Sequence, residues 1–200
     1  ISPNLGSIAE LASGAVVGTS SLRRRAQLLN RRPDLNVVEF RGNVQTRLEK
    51  LDNGVAECTF LAAAGLKRLG RDDVPATPVD PEDMLPAVAQ GAIGIERHAD
   101  DARMQEMLAA IHDTPTGQRL AAERAFLQAL DGSCETPIAG LATLDGDELH
   151  LRGEVLRPDG SQSLSGERRG PIKTGAAMGV ELAKELLERA GEGFFDWHTH

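Results

Sequence analysis

With 200 residues, 40% of them hydrophobic and 26% charged, the chain has the make-up of a globular protein with room for one substantial core or two small ones. Thirty acidic residues against 22 basic ones leave a net charge of −8, which argues against a general nucleic-acid binder, normally basic over a whole face. No apolar run approaches the roughly 20 residues needed to cross a bilayer, and the two cysteines, Cys58 and Cys134, lie in surroundings too different for a disulfide framework. Reduced thiols and a cytoplasmic setting are expected.

Residues 1–14 read as a lead-in broken by Pro3, Gly6 and Gly14, with a short helical stretch between. Ala15-Val16-Val17 predicts a short buried strand that Gly18 ends. Thr19, Ser20 and Ser21 offer N-cap hydroxyls to a helix over Leu22 to Arg31, which Pro33 stops. Asn36 to Phe40 predicts a second strand and Asn43 caps a second helix, Val44 to Leu51, closed by Asn53-Gly54. Glu57 to Ala62 and Ala63 to Leu69 repeat the pattern once more. Three strand-to-helix units in a row predict an α/β layer on a mostly parallel sheet.

The stretch Gly18 to Arg47 stands apart from the rest. It holds seven arginines (Arg23, Arg24, Arg25, Arg31, Arg32, Arg41 and Arg47) against two acids, a net +5 within a chain of −8. Arginine is always charged and grips a carboxylate or phosphate with two parallel hydrogen bonds. Ligands of such sheets bind beyond the carboxyl ends of the strands, where helix N-termini offer free N–H groups. All three junctions suit an anion: Gly18 to Ser21 with Arg23 and Arg24, Arg41-Gly42-Asn43 with Arg47, and Ala62 to Gly65 with Arg68. Basic faces that are merely solvated would not put such residues at every strand end, so a site for a small polyanion is predicted.

Asp72 to Pro86 is a loop punctuated by Pro75, Pro78, Pro81 and Pro86, and Ala87 to Glu96 predicts a strand that passes a tight spot at Gly91 and Gly94. Helices follow from Asp100 to Ile111 and from Thr114-Pro115 to Leu130, the second with Glu123 and Arg124 on the face away from Leu120, Phe126, Leu127 and Leu130. Ile138 to Thr143, Leu149 to Leu156 and Ser161 to Arg168 predict an antiparallel meander with turns at Asp145-Gly146 and Asp159-Gly160; a helix over Met178 to Ala190 covers one face of it. The domains expected are 1–90 (α/β, anion-binding), 91–112 (a strand and helix) and 113–200 (α+β).

Cys134, in a Gly-Ser-Cys loop between a helix and a strand, could be a nucleophile, an attachment point or an ordinary loop thiol. Cys58 lies in an apolar strand and reads as core. His98, His112, His150, His198 and His200 are scattered, and no metal is assigned.

Six motifs occur in register: Gly18-Thr19-Ser20-Ser21-Leu22-Arg23-Arg24, Arg41-Gly42-Asn43 with Arg47, Ala64-Gly65-Leu66-Lys67-Arg68-Leu69, Gln90-Gly91-Ala92-Ile93-Gly94-Ile95-Glu96, Glu123-Arg124-Ala125 and Gly132-Ser133-Cys134. Together they resemble porphobilinogen deaminase (hydroxymethylbilane synthase) over nearly the whole chain. The resemblance implies a transferase of tetrapyrrole biosynthesis that joins four porphobilinogens, with loss of ammonia, on a dipyrromethane cofactor held by a thioether to Cys134. It implies that Arg23, Arg24, Arg41, Arg47 and Arg68, supported by Ser21, Gly42 and Gln90, hold the acetate and propionate groups of cofactor and substrate. It also implies a first domain of which only the strand and helix of 91–112 are present, the first two domains resembling a periplasmic-binding-protein lobe pair in fold. That missing part carries the family's aspartate, so no catalytic residue is assigned here and the chain, which opens at Ile1, is expected to bind without turning over. Porphobilinogen and polypyrrole intermediates are the expected partners, with no nucleic acid and no membrane, and a monomer is expected when the protein is complete. The alternative is a non-catalytic anion-binding module of solute-binding type, in which Cys134 has no role.

Overall fold

A computed structural model describes residues 1–2, 7–130 and 136–196. Its first sheet is parallel, with β1 (Val16–Gly18) at the centre and β2 (Asn36–Val38) and β3 (Cys58–Thr59) on either side. Val17 lies opposite both Val37 and Cys58. The pairing is shorter than the apolar runs predict because the central strand offers only three residues before Gly18 turns the chain into a helix. Each strand leads into a helix: α1 (Leu22–Arg31), α2 (Val44–Asp52) and α3 (Ala63–Arg68).

The caps follow the sequence. Ser21 accepts from the Arg24 N–H and Asn43 from the Thr46 N–H, each satisfying one of the N–H groups a helix start leaves unpaired. Leu11, Ala15, Val17, Leu28, Leu35, Cys58 and Met84 form the core beneath. Arg32 ties the lead-in to this layer: its guanidinium donates to the Ile8 and Leu11 carbonyls at 3.1 and 2.8 Å and doubly to Asp34 at 2.8 Å.

The strand predicted over Ala87 to Glu96 does not form. A strand needs a partner edge, and among the described residues none lies beside it. Instead Val88 turns into the core, and Ala89, at φ +57°, donates its N–H to Glu123 at 2.7 Å. Next comes α4 (Ala102–Ala109), capped by Asp101, which buries no residue; Ile93, Ile95, Met107 and Ile111 around it are exposed.

The second sheet is the predicted meander of β4 (Ile138–Asp145), β5 (Glu148–Leu156) and β6 (Ser163–Pro171), antiparallel and in sequence order. Alternate residues Leu149, Leu151 and Val155 point at one face, where they meet Phe126 of α5 (Thr114–Ala129) and Leu182 and Leu186 of α6 (Gly175–Ala190). The fold class is therefore the one predicted: a parallel α/β layer followed by an antiparallel sheet backed by helices.

One orientation differs. Glu123, expected to lie with Arg124 on the outer face of its helix, is only 6% exposed. A buried carboxylate needs hydrogen bonds, and Glu123 takes them from the N–H groups of Ala89 at 2.7 Å and Ala142 at 2.8 Å. Pro86 does the same for Gly140 at 3.0 Å, so the edge of β4 not paired with β5 is covered from outside.

Two outcomes are expected. Helices α5 and α6 approach at Gly179, where a Cβ would lie 2.4 Å from the Ala122 carbonyl oxygen. Gly179→Val should destabilise the chain by about 1–3 kcal/mol in denaturant titration, through overpacking against backbone that cannot yield. Arg32 holds the Asp34 carboxyl down from 3.8 to about 2, so this pair contributes stability above about pH 4 and loses it as the pH falls towards 2. Asp34→Asn should flatten that part of the acid-unfolding curve.

Candidate anion site

The carboxyl ends of β1, β2 and β3 lie side by side, and the helix starts after them carry the predicted arginines. The loop after β1 is built by its own hydroxyls. Thr19, 6% exposed, accepts the Ser21 N–H at 3.2 Å, Ser20 accepts the Phe40 N–H at 3.0 Å, and Thr59 donates to the Gly18 carbonyl at 2.7 Å. These contacts join the three strand ends and hold Ser21 where it caps α1.

Arg23 and Arg24 follow in the first turn, both half-buried. The Arg24 guanidinium donates to the Phe60 carbonyl at 3.3 Å and lies 5.6 Å from the centre of the Phe60 ring. Burial lowers its pKa, and the charge of Arg47 lowers it further, so these two cations are neighbours. Arg23 is pushed down to about 10, by burial first and by Arg24 next. Its Nη1 donates to the Gln27 amide oxygen and the Leu85 carbonyl, both at 2.7 Å. Arg47 donates from Nε to the Gly42 carbonyl at 2.9 Å. Gly42 is needed for its backbone: at φ +132°, a side chain there would be strained and would meet Thr46 at 2.8 Å.

Arg23 and Arg47 thus each lie within electrostatic reach of Arg24, and among the described residues none of the three has an ion-pair partner. Some arginines outside the trio do pair, as Arg32 does with Asp34 and Arg71 with Asp73. Like charges held together and half-desolvated raise the free energy of the empty site, and a ligand with several carboxylates lowers it. The donor set fits an acetate- and propionate-bearing pyrrole chain: guanidinium forks and a capped helix N-terminus, with no carboxylate in direct ion-pair contact with the three among the described residues.

The other predicted residues fall differently. Arg41 is exposed and paired with Glu39, which raises its pKa, so a ligand would have to draw it away from that carboxylate. Arg68, in the last turn of the six-residue α3, is exposed and makes no hydrogen bond or ion pair among the described residues; the same holds for Gln90. Cys134 lies outside the described residues. Cys58 is buried, and burial raises the pKa of its thiol. Among the described residues no group of three or more His, Cys, Asp or Glu could hold a metal, and no helix is long and apolar enough to cross a membrane. A separate concavity of about 810 Å³, lined by Asp52, Glu57, Arg71 and Asp73 among others, is too acidic to be the anion site.

Residues 1–106 match the family model described as porphobilinogen deaminase, dipyromethane cofactor binding domain, and residues 118–188 match the C-terminal domain of the same enzyme. The chain belongs to the porphobilinogen deaminase family. It is 64% identical over 197 residues to the porphobilinogen deaminase of Paracoccus denitrificans, and 50% and 49% identical over 195 residues to those of Nitrobacter hamburgensis and Nitrobacter winogradskyi. Each match takes in 98% of this chain but only 62–63% of the relative, so the chain spans less than two thirds of the length of these porphobilinogen deaminases. The arginine trio falls within the part matched by the dipyrromethane-binding domain of the family.

Gln27 and Glu154 were absent from the sequence reading of this site. The available signal was Gln27 itself, an amide between Ala26 and Leu28 on the buried stripe of α1. Its partner lies 127 residues away and no local pattern points to it.

The two thiols should differ in reactivity. In Cys134→Ser, the remaining Cys58 should react with a thiol-specific reagent slowly at pH 8 in the native chain, and about a hundredfold faster once it is unfolded in guanidinium, because only the exposed thiolate attacks.

Proposed function

We propose that this chain is the cofactor-holding part of a porphobilinogen deaminase, the hydroxymethylbilane synthase of tetrapyrrole, haem and chlorophyll biosynthesis. The observation that carries the reading is the trio Arg23, Arg24 and Arg47, half-buried around Arg24 with no ion-pair partner among the described residues. In this reading a dipyrromethane is joined to Cys134 by a thioether and, when bound, supplies the pyrrole end onto which porphobilinogen condenses with release of ammonia. Arg24 and Arg47 hold its carboxylates, and Arg23 takes a further carboxylate beside them. Ser21 keeps the first turn of α1 in place, and the Gly42 carbonyl aims Arg47. Arg41 and Arg68, on the exposed side, receive the carboxylates of incoming porphobilinogen or of the growing polypyrrole, and Gln90 supports them.

The same arrangement bears on turnover. Catalysis of the condensation needs a group that moves protons at the pyrrole nitrogens. Among the described residues no carboxylate is paired with the trio, and no acid of this chain takes the place of the family aspartate by motif. Accordingly these 200 residues bind without turning over, and the cytoplasmic, monomeric enzyme requires sequence beyond them, against which 91–112 would pack. The alternative, a solute-binding module, needs only the arginines and gives Cys134 no role.

The test is the intact mass of the chain before and after incubation with porphobilinogen, beside Cys134→Ser. With the part of a porphobilinogen deaminase that carries the family's aspartate supplied in trans, a surplus of two linked porphobilinogen-derived units is expected on the wild-type chain alone. Identical masses in both, with reversible porphobilinogen binding by both, would favour the solute-binding reading. Arg24→Ala should weaken porphobilinogen binding about tenfold or more while the circular dichroism spectrum stays unchanged. Steady formation of hydroxymethylbilane by the 200 residues would overturn the claim about turnover.

A further inference from the structure

We infer that Gln27 and Glu154 are positioning residues of the anion site: the antiparallel sheet, through Glu154, orients the Gln27 amide, and that amide orients the Arg23 guanidinium. The inference rests on the reading that Arg23 holds a carboxylate of the ligand. It starts from two buried polar side chains that the site as described leaves unused. Gln27, fully buried, sits one helical turn after Arg23, and Glu154, 5% exposed, lies on β5.

The hydrogen bonds run in one direction. Gln27 Nε2 donates to Glu154 Oε2 at 2.8 Å and to the Leu85 carbonyl at 3.2 Å, while Gln27 Oε1 accepts from Arg23 Nη1 at 2.7 Å. The other Glu154 oxygen accepts from the Ser163 hydroxyl at 2.8 Å and lies 3.6 Å from Arg31. A carboxylate and a backbone carbonyl only accept, and a guanidinium only donates. Turning the Gln27 amide over would set its oxygen against two acceptors and its NH₂ against a donor. The chemistry of the neighbours therefore allows one orientation of the amide, and that orientation sets its oxygen against Arg23.

The consequence lies on Arg23. Nη1 is bound to two neutral acceptors, Gln27 Oε1 and the Leu85 carbonyl, whereas Nε and Nη2 make no hydrogen bond among the described residues. Those two groups form the side edge of the guanidinium, which takes a carboxylate through two parallel hydrogen bonds. Glu154 thus serves as a counter-charge at one remove: it anchors the cation through an amide without occupying that edge, as a direct ion pair would. The second sheet thereby bears on an arginine carried by the helix that follows β1.

The test uses the whole chain and four variants: Gln27→Leu and Glu154→Leu, which cut the link, Glu154→Gln, which keeps an acceptor oxygen facing Gln27, and the double Leu variant. Two quantities are read: hydrogen exchange at the Arg23 Nη–H groups by nuclear magnetic resonance, with the signal assigned by Arg23→Lys, and porphobilinogen affinity by calorimetry. Cutting the link should speed exchange severalfold and weaken affinity roughly tenfold with the circular dichroism spectrum intact. Glu154→Gln should restore both, and the double Leu variant should be no worse than either single change. Should Gln27→Leu fail to fold, Gln27→Met carries the same test. A purely structural role would lower the melting temperature while leaving Arg23 exchange and affinity unmoved, and that result overturns the inference. If the wild-type chain binds no porphobilinogen, the reading of the site fails, and Arg23 exchange still decides the positioning role.

Discussion

Holding three guanidinium groups together, half out of water and without ion-pair partners, is the constraint on which the rest of the α/β layer depends. Burial and mutual repulsion both oppose it, as the lowered pKa values of Arg23 and Arg24 record. The fold offsets the cost with neutral acceptors. Phe60 and Leu85 offer backbone carbonyls and Gln27 an amide oxygen, so Arg23 and Arg24 are solvated without a direct ion pair.

The parallel sheet is short, three residues in β1 and two in β3, yet it suffices because its role is to align strand ends. Thr19, Ser20 and Thr59 join those ends through hydroxyl hydrogen bonds to backbone, replacing ladder pairs that such short strands lack. The same economy appears in the second sheet, where Glu123 and Pro86 complete the outer edge of β4. Of these groups Pro86 crosses between the two halves of the chain, since its carbonyl accepts the Gly140 N–H of β4.

Further contacts cross where α1 meets β5. Gln27 and Arg31 of α1 both reach Glu154, Asn30 reaches the Gly160 carbonyl, and Arg152 of β5 pairs with Glu82 at 2.7 Å. A ligand that bears on Arg23 therefore bears, through Gln27, on the second sheet. Cofactor attachment and carboxylate recognition, if divided between the two halves as proposed, would be coupled through this contact.

Local chemistry is what made most of the molecule legible. Ser21 and Asn43 mark helix starts, Pro33 bounds a helix, Gly146 turns a hairpin and alternation reveals the meander, since each acts within a few residues of itself. The concentration of arginine between Gly18 and Arg47, and the motifs around it, likewise pointed to an anion site and a family before any contact was known. What the sequence could not decide was how those arginines differ. Arg41 pairs with Glu39, Arg47 leans on the Gly42 carbonyl, and Arg23 is held by Gln27, distinctions set by neighbours rather than by residue type. Glu123 turned inward and Ala87 to Glu96 failed to form a strand for the same reason: whether a carboxylate is buried or a strand paired depends on what lies across the contact. Composition and spacing determined most of the elements and the charge of the arginine stretch, and the motifs carried the resemblance to the family; only the tertiary structure decided which guanidinium edges stay open, because that depends on partners as far as 127 residues away in the chain.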